Sequence, residues 1–105
     1  MKSSEVFDKA ADRIAAGGLC KERYFEKGDG ATDGKDPGEG ACCTMGAIRS
    51  VVTPLGMDSA PFAVLLTDTL GIGSVVGWND AKEQTQEGVV TGLRNAAEKL
   101  RVQGR

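Results

Sequence analysis

The sequence predicts an all-α domain, and three observations carry that prediction. Apolar residues recur at spacings of three and four in four separate segments. Capping side chains or Gly and Pro stops bound these segments. A length of 105 residues suffices for one modest core without staples. The expected architecture is a single helical domain over 1–105, with four principal helices, a short extra helical turn and a long Gly/Asp-rich loop.

Ser3 or Ser4 is expected to cap a first helix over about 4–16. There Val6, Phe7, Ala10, Ala11 and Ile14 form the apolar side, with Glu5, Lys9, Asp12 and Arg13 opposite. Gly17-Gly18 supplies a left-handed stop. Residues 19–25 read either as a turn or as a short extended piece, with Tyr24 and Phe25 pinning it to the core. Residues 26–40 are rich in glycine and include Pro37. With few apolar groups to offset its ordering entropy, this stretch is expected to be a mobile surface loop.

A second helix is expected from Cys42 to about Val52, ended by Thr53-Pro54. Its apolar residues spread over most of the circumference, which predicts a place in the middle of a bundle. Arg49 lies at the edge of the narrow polar gap, where a structural ion pair is the expected role. Asp58 or Ser59 caps a third helix with Pro61 in its first turn, Phe62, Leu65, Leu66, Thr69 and Leu70 on its inner face, and Gly71 as its stop. Ser74 then starts a single helical turn presenting Val75, Val76 and Trp78 to the core. Thr85 caps a final helix to about Arg101 with the stripe Val89, Val90, Leu93, Ala96, Ala97 and Leu100. Within it Gly88, Gly92 and Ala96 form a small-residue row. The row admits close approach of the second helix or, alternatively, of another copy of the chain in a homo-oligomer.

Several function classes lose ground on composition alone. The net charge of −2 gives no general attraction to a phosphate backbone. Residues 26–40 hold five acidic residues against two basic ones, and 82–105 five basic against three acidic. Neither block has the aromatic interleaving of a nucleic-acid surface. No apolar run approaches the ~18 residues of a membrane span, and the N-terminus does not read as a signal peptide, so the expectation is a cytoplasmic protein. The chain contains no His, the commonest general base and metal ligand. Cys20, Cys42 and Cys43 show no C-x-x-C spacing, and they read as buried packing, a Cys20 bridge being open only if the fold brings the residues together. A calcium reading of the segment starting at Asp29 fails because Ala31 and Gly40 occupy ligand positions. A dinucleotide reading of Gly71-Ile72-Gly73 fails because a helix, not a strand, precedes it. No cofactor is therefore expected.

Trp78 is the chain's one Trp, and Asn79-Asp80 follow it directly. This pattern marks a large apolar anchor beside a polar, backbone-bonding corner. Cys43 together with Asn79 and Asp80 would supply part of a thiol-nucleophile set, but no His exists to take the proton. Activation by a helix N-terminus alone is the one enzyme-like reading left. The residues read instead as packing at Cys43 and as a cap or turn at Asn79-Asp80.

Cys43-Thr44-Met45-Gly46-Ala47 fits a Cys-x-x-Gly-Ala helix start, and Ser74-Val75-Val76-Gly77-Trp78-Asn79-Asp80 fits a Ser-[Ile/Val]-x-x-[Trp/Phe]-Asn-Asp block. With Gly17-Gly18-Leu19 and the Thr85-led helix, the chain resembles the family called domain of unknown function 6197, small proteins of actinobacteria and their phages. Leu19 stands where that family often has an aromatic residue. Gly88 replaces a Glu common after the Thr cap, which weakens a capping box. The resemblance implies a fold and an origin but no activity. Cys43, Gly46, Arg49, Trp78, Asn79, Asp80 and Thr85 are the motif residues singled out, chiefly as structural ones. The expected function is a non-enzymatic accessory protein, phage- or prophage-encoded, acting through a protein partner. The alternative is a small-molecule- or metal-binding domain with its pocket near Trp78 and the second helix.

Overall fold

Apolar stripes at helical spacing can be buried only against one another, and the computed structural model shows which stripes meet. It describes residues 1–27 and 36–105. In chain order the helices are α1 (Ser3–Gly17), α2 (Thr44–Val52), α3 (Ala60–Leu70), α4 (Val75–Asp80) and α5 (Gln86–Val102), and a 3-10 turn over Thr53–Leu55 follows α2. The fold is all-α, with four principal helices and the short α4. Among the described residues, extended pairing is confined to two isolated bridges.

The middle of the bundle belongs to α1. It packs most extensively along α5 and next on α2, while α3 covers α5 and touches α4. Val6, Phe7, Ala10, Ala11 and Ile14 are completely buried, as are Val89, Leu93, Ala96 and Ala97 of α5. Phe62 of α3 meets Phe7 edge to face at 6.4 Å, the arrangement ring quadrupoles favour. The central position expected for α2 is not observed. Its apolar surplus is absorbed by α1 on one side and by the segment before it and α4 on the others. Residues 41–43 run extended between 18–20 and 24–26: Cys42 N–H donates to the Gly18 carbonyl at 3.1 Å, Cys20 N–H to the Cys42 carbonyl at 3.0 Å, and Glu26 N–H to the Ala41 carbonyl at 3.0 Å. This pairing delays the start of α2 from Cys42 to Thr44.

The helix ends follow the sequence with instructive departures. Thr85 Oγ1 caps α5 by accepting from Gly88 N–H at 3.0 Å, even without the Glu of a capping box. Ser74 Oγ caps α4 through Gly77 N–H at 2.8 Å, and Asp58 accepts from Ala60 N–H at 3.2 Å before α3. Neither Ser3 nor Ser4 caps α1, because both lie inside it and Lys2 holds the cap position without a side-chain bond. Gly18 does stop α1 with positive φ, but its φ of 101° and ψ of 164° fall in a region open essentially to Gly alone, not the left-handed helical one. Val76 points outward at 57 % exposure, contrary to the core role expected of it.

The loop expected to be mobile over 26–40 falls largely on residues 28–35, outside the described ones, as do most positions of the calcium reading. Its flanks are tied to the helices. Arg13 on α1 donates to the Gly40 carbonyl at 2.7 Å and pairs with Asp36 at 3.1 Å. On the surface, Arg94 bridges Asp8 and Asp12, and Arg101 bridges Asp8 and Glu98. Such exposed pairs contribute little individually and serve mainly to fix α1 against α5.

The small-residue row on α5 does not receive α2; side chains from α4 and α3 fill the space at Gly92 instead. Gly92 is covered by the Trp78 ring, so close that a Cβ there would lie 2.6 Å from Trp78 Cζ2. Ala96 is buried in the core, and Gly88 lies against the Gln84 side chain. The two glycines should therefore respond oppositely to alanine. Gly92→Ala gains about 1 kcal/mol of helix propensity but overpacks the indole, at a cost of about 1–3 kcal/mol, so a net loss is expected in denaturant titration. Gly88→Ala displaces the flexible Gln84 end and sets a Cβ 3.2 Å from the Thr85 Oγ1 cap, contacts that side-chain movement can relieve, so its midpoint should be unchanged or raised.

Candidate functional site

Four of the seven residues singled out in the sequence converge where α4 meets the start of α2. Ser74 initiates α4, and six residues are too few to hold a helix in isolation. What fixes it is Asn79, 2 % exposed. Its Oδ1 accepts from Thr44 N–H at 2.8 Å and from the Thr44 hydroxyl at 2.6 Å. Its Nδ2 donates to the Cys20 carbonyl at 3.1 Å and to Asp80 Oδ1 at 2.9 Å. The amide thus uses two acceptor and two donor positions, its full capacity. One side chain satisfies an orphan N–H of α2 and joins α4 to the segment after α1.

Asp80 extends this junction. Its Oδ1 also accepts from Glu22 N–H at 3.1 Å, and Glu22 is the one non-Gly residue with positive φ (66°) among those described. A left-handed conformation is disfavoured for a residue with a side chain, and the Asp80 bond helps hold it. Lys21 Nζ donates to the Ala81 carbonyl at 2.7 Å. The sharp turn at Glu22 returns the chain so that the Tyr24 carbonyl accepts from Cys43 N–H at 2.9 Å. Gly46 makes this crossing possible, because a Cβ there would collide with the Tyr24 carbonyl. Phe25 is completely buried beneath, whereas Tyr24 stays on the surface.

These elements enclose a cavity of about 270 Å³ lined by Glu22, Arg23, Tyr24, Cys43, Met45, Val75, Val76, Asn79 and Asp80. It lies between α4 and α2, where a pocket was expected, but Trp78 is not among its walls. The indole projects from the other side of α4 onto α5. Arg49 does not line the cavity either. Its guanidinium stacks 4.6 Å from the centre of the Tyr24 ring, a cation–π contact, and among the described residues the expected ion pair is not formed. Thr85 is a cap on α5 and takes no part. Glu22, Arg23 and Tyr24 are not among the site residues expected from the sequence, and their place at the cavity depends on the left-handed turn at Glu22, for which a Glu gives no signal.

The thiols at this junction are not poised for nucleophilic chemistry. Cys43 caps α2, its sulfur accepting from Gly46 N–H at 3.3 Å. That helix-end contact lowers its pKa, but burial outweighs it and holds the group above the ordinary thiol value. Burial likewise pushes Cys20 up to about 11 and Cys42 up to about 12. All three remain protonated near neutral pH, the opposite of a catalytic cysteine. Among the described residues, no three Cys, Asp or Glu side chains are grouped to hold a metal ion.

The residues that build this junction are those on which the family resemblance rests. Residues 1–99 match the description "Family of unknown function (DUF6197)". The chain belongs to this family. Neither a curated protein nor a solved structure matches the chain. Within the DUF6197 fold as seen here, the Cys-x-x-Gly-Ala and Trp-Asn-Asp motifs are the two sides of one joint: Cys43 and Gly46 shape the start of α2, and Asn79 and Asp80 clasp it. No helix among the described residues is long and apolar enough to cross a membrane.

Two outcomes test this account. Asn79→Ala strands the Thr44 donors and the Cys20 carbonyl, each at about 1–3 kcal/mol, so a loss of roughly 3 kcal/mol or more is expected in chemical denaturation. Asn79→Asp keeps the acceptor for Thr44 but sets a carboxylate beside Asp80 and the Cys20 carbonyl, and should recover only part of that loss. The thiols set a pH dependence. Because folding raises their pKa values, their contribution is fully present below about pH 9 and is lost as pH climbs through about 11 to 12. Denaturation midpoints should fall over that window, and Cys20→Ala or Cys42→Ala should make the fall shallower than in the wild type.

Proposed function

We propose that the protein is a non-enzymatic accessory protein that acts by binding another protein through the face around the α4–α2 cavity. The observation carrying this reading is the division of labour in the cavity. Its buried polar groups, Asn79 and Cys43, are engaged in internal bonds, and the Cys43 thiol is held protonated, so neither is an activated catalytic group. Its walls are Met45, Val75 and Val76, and its rim leaves Val76 57 % and Tyr24 39 % exposed. Such a site supplies shape and apolar surface, with Arg23, Glu22 and Asp80 to orient what enters.

Size favours a partner's side chain over a metabolite. A cavity of about 270 Å³ lies just under the ~300–1,000 Å³ usual for small-molecule sites. A small-molecule ligand remains the second reading, because the cavity is present where such a pocket was expected. The resemblance described above supports an actinobacterial cell or one of its phages as the source, and the three free cysteines support a reducing compartment, the cytoplasm. No nucleic-acid role is proposed, given the net charge of −2.

Affinity capture from an actinobacterial lysate tests the first reading, with Val76→Glu as the control. Val76 is exposed, so the substitution should leave stability within about 0.5 kcal/mol. A partner retained by the wild type and lost with Val76→Glu is the expected result. Recovery of no partner at micromolar bait, or equal recovery by both proteins, overturns it. A thermal-shift screen of metabolites and divalent ions examines the second reading, since a ligand at a hundred times its Kd adds ~2.7 kcal/mol.

A further inference from the structure

Three free cysteines lie within one junction, and the backbone pairing there distinguishes them. Leu19 and Cys42 form a parallel bridge, defined by the Cys42 N–H to Gly18 carbonyl and Cys20 N–H to Cys42 carbonyl bonds. The next pair in that register is Cys20 with Cys43. Register partners of neighbouring strands lie ~4.8 Å apart, inside the ~4.4–6.8 Å separation that a disulfide spans. Side chains alternate between faces along an extended segment, which sets Cys20 and Cys43 on one face and Leu19 and Cys42 on the other. A second contact fixes the same proximity: the Tyr24 carbonyl accepts from Cys43 N–H at 2.9 Å and lies 3.9 Å from Cys20 Sγ.

We infer that Cys20 and Cys43 are a latent disulfide pair, closed by exchange with a small disulfide of the glutathione type, while Cys42 stays a buried free thiol. Cys43 lines the cavity and Cys20 does not, which orders the steps. The Cys43 thiol loses its proton, its sulfur attacks one sulfur of the oxidised reagent, and the reagent's S–S bond breaks, releasing one glutathione thiolate. The Cys20 sulfur, losing its own proton, then attacks the Cys43 sulfur and expels the second. The two protons given up end on the two released thiols, and the two electrons lost by the pair reduce the reagent. Because both thiols are buried and protonated, exchange proceeds slowly through local opening, unlike the fast reaction of an activated cysteine. Closure ties residue 20 to residue 43 and staples both ends of the intervening segment to the start of α2.

The test uses the full chain, folded and reduced, incubated with oxidised glutathione for hours at neutral pH and then analysed by intact mass, by thiol count in denaturant and by peptide mapping. The expected product is lighter by two hydrogen atoms, shows one free thiol instead of three, yields a Cys20–Cys43 peptide, melts at higher temperature and reverts with dithiothreitol. Cys42→Ala should give the same bridge, and Cys20→Ala should stop at the Cys43–glutathione adduct. A bridge that includes Cys42, a wild type that halts at the glutathione adduct, or three thiols unchanged after incubation would each overturn the inference. The wild-type mapping stands alone should either variant fail to fold, and it requires no knowledge of a binding partner.

Discussion

The fold turns on one buried amide. Asn79, almost completely buried, holds four hydrogen bonds, and together they make three elements depend on it: the first turn of α2, the segment after α1, and through Asp80 the left-handed turn at Glu22. In a low-dielectric surrounding such a network is worth most when complete and costs most when one member is removed. The apolar core would tolerate α2 at many angles, since Ala47, Ile48 and Val52 fit against α1 without directionality. The amide selects one of them.

This constraint explains why the chain places glycines on either side of the joint. Gly46 lets the Tyr24 backbone cross α2 directly, and Gly92 lets the Trp78 ring settle on α5. Trp78 and Asn79 are adjacent in sequence but act in opposite directions, the indole clamping α4 to the α5 side and the amide clamping it to the α2 side. A helix of six residues held at both faces needs no stability of its own.

Much of this was legible in the sequence where the signal is periodic or local. The stripes of α1 and α5, the caps at Ser74 and Thr85, and the stop at Gly71 follow from spacing and side-chain chemistry, and Asn79-Asp80 declared a polar corner. What was not legible depends on pairing between distant segments. Nothing local tells that residues 41–43 lie between 18–20 and 24–26, and so periodicity alone starts α2 too early, at Cys42, and sets it too centrally in the bundle. The row Gly88, Gly92, Ala96 suggested a partner helix, because spacing reports that room exists and not what fills it. Arg49 carried the same ambiguity. A cation at the edge of an apolar helix needs a counterpart, and the Tyr24 ring met that need once an unannounced left-handed Glu22 had brought it there.

The principal helix pair, α1 with α5, joins the two extremes of the described chain, and Arg101 on α5 reaches back across 93 positions to Asp8. Helical proteins usually fold fast because their contacts are local, but here the central helix meets its main partner last. At a synthesis rate of roughly 5–20 residues per second, α1 spends on the order of five to twenty seconds on the ribosome with its apolar face incompletely covered. During that interval α2 and α3 can cover only part of that face, the rest is open to whatever chaperones the cell provides, and solubility rests on the charged side of α1 until α5 emerges.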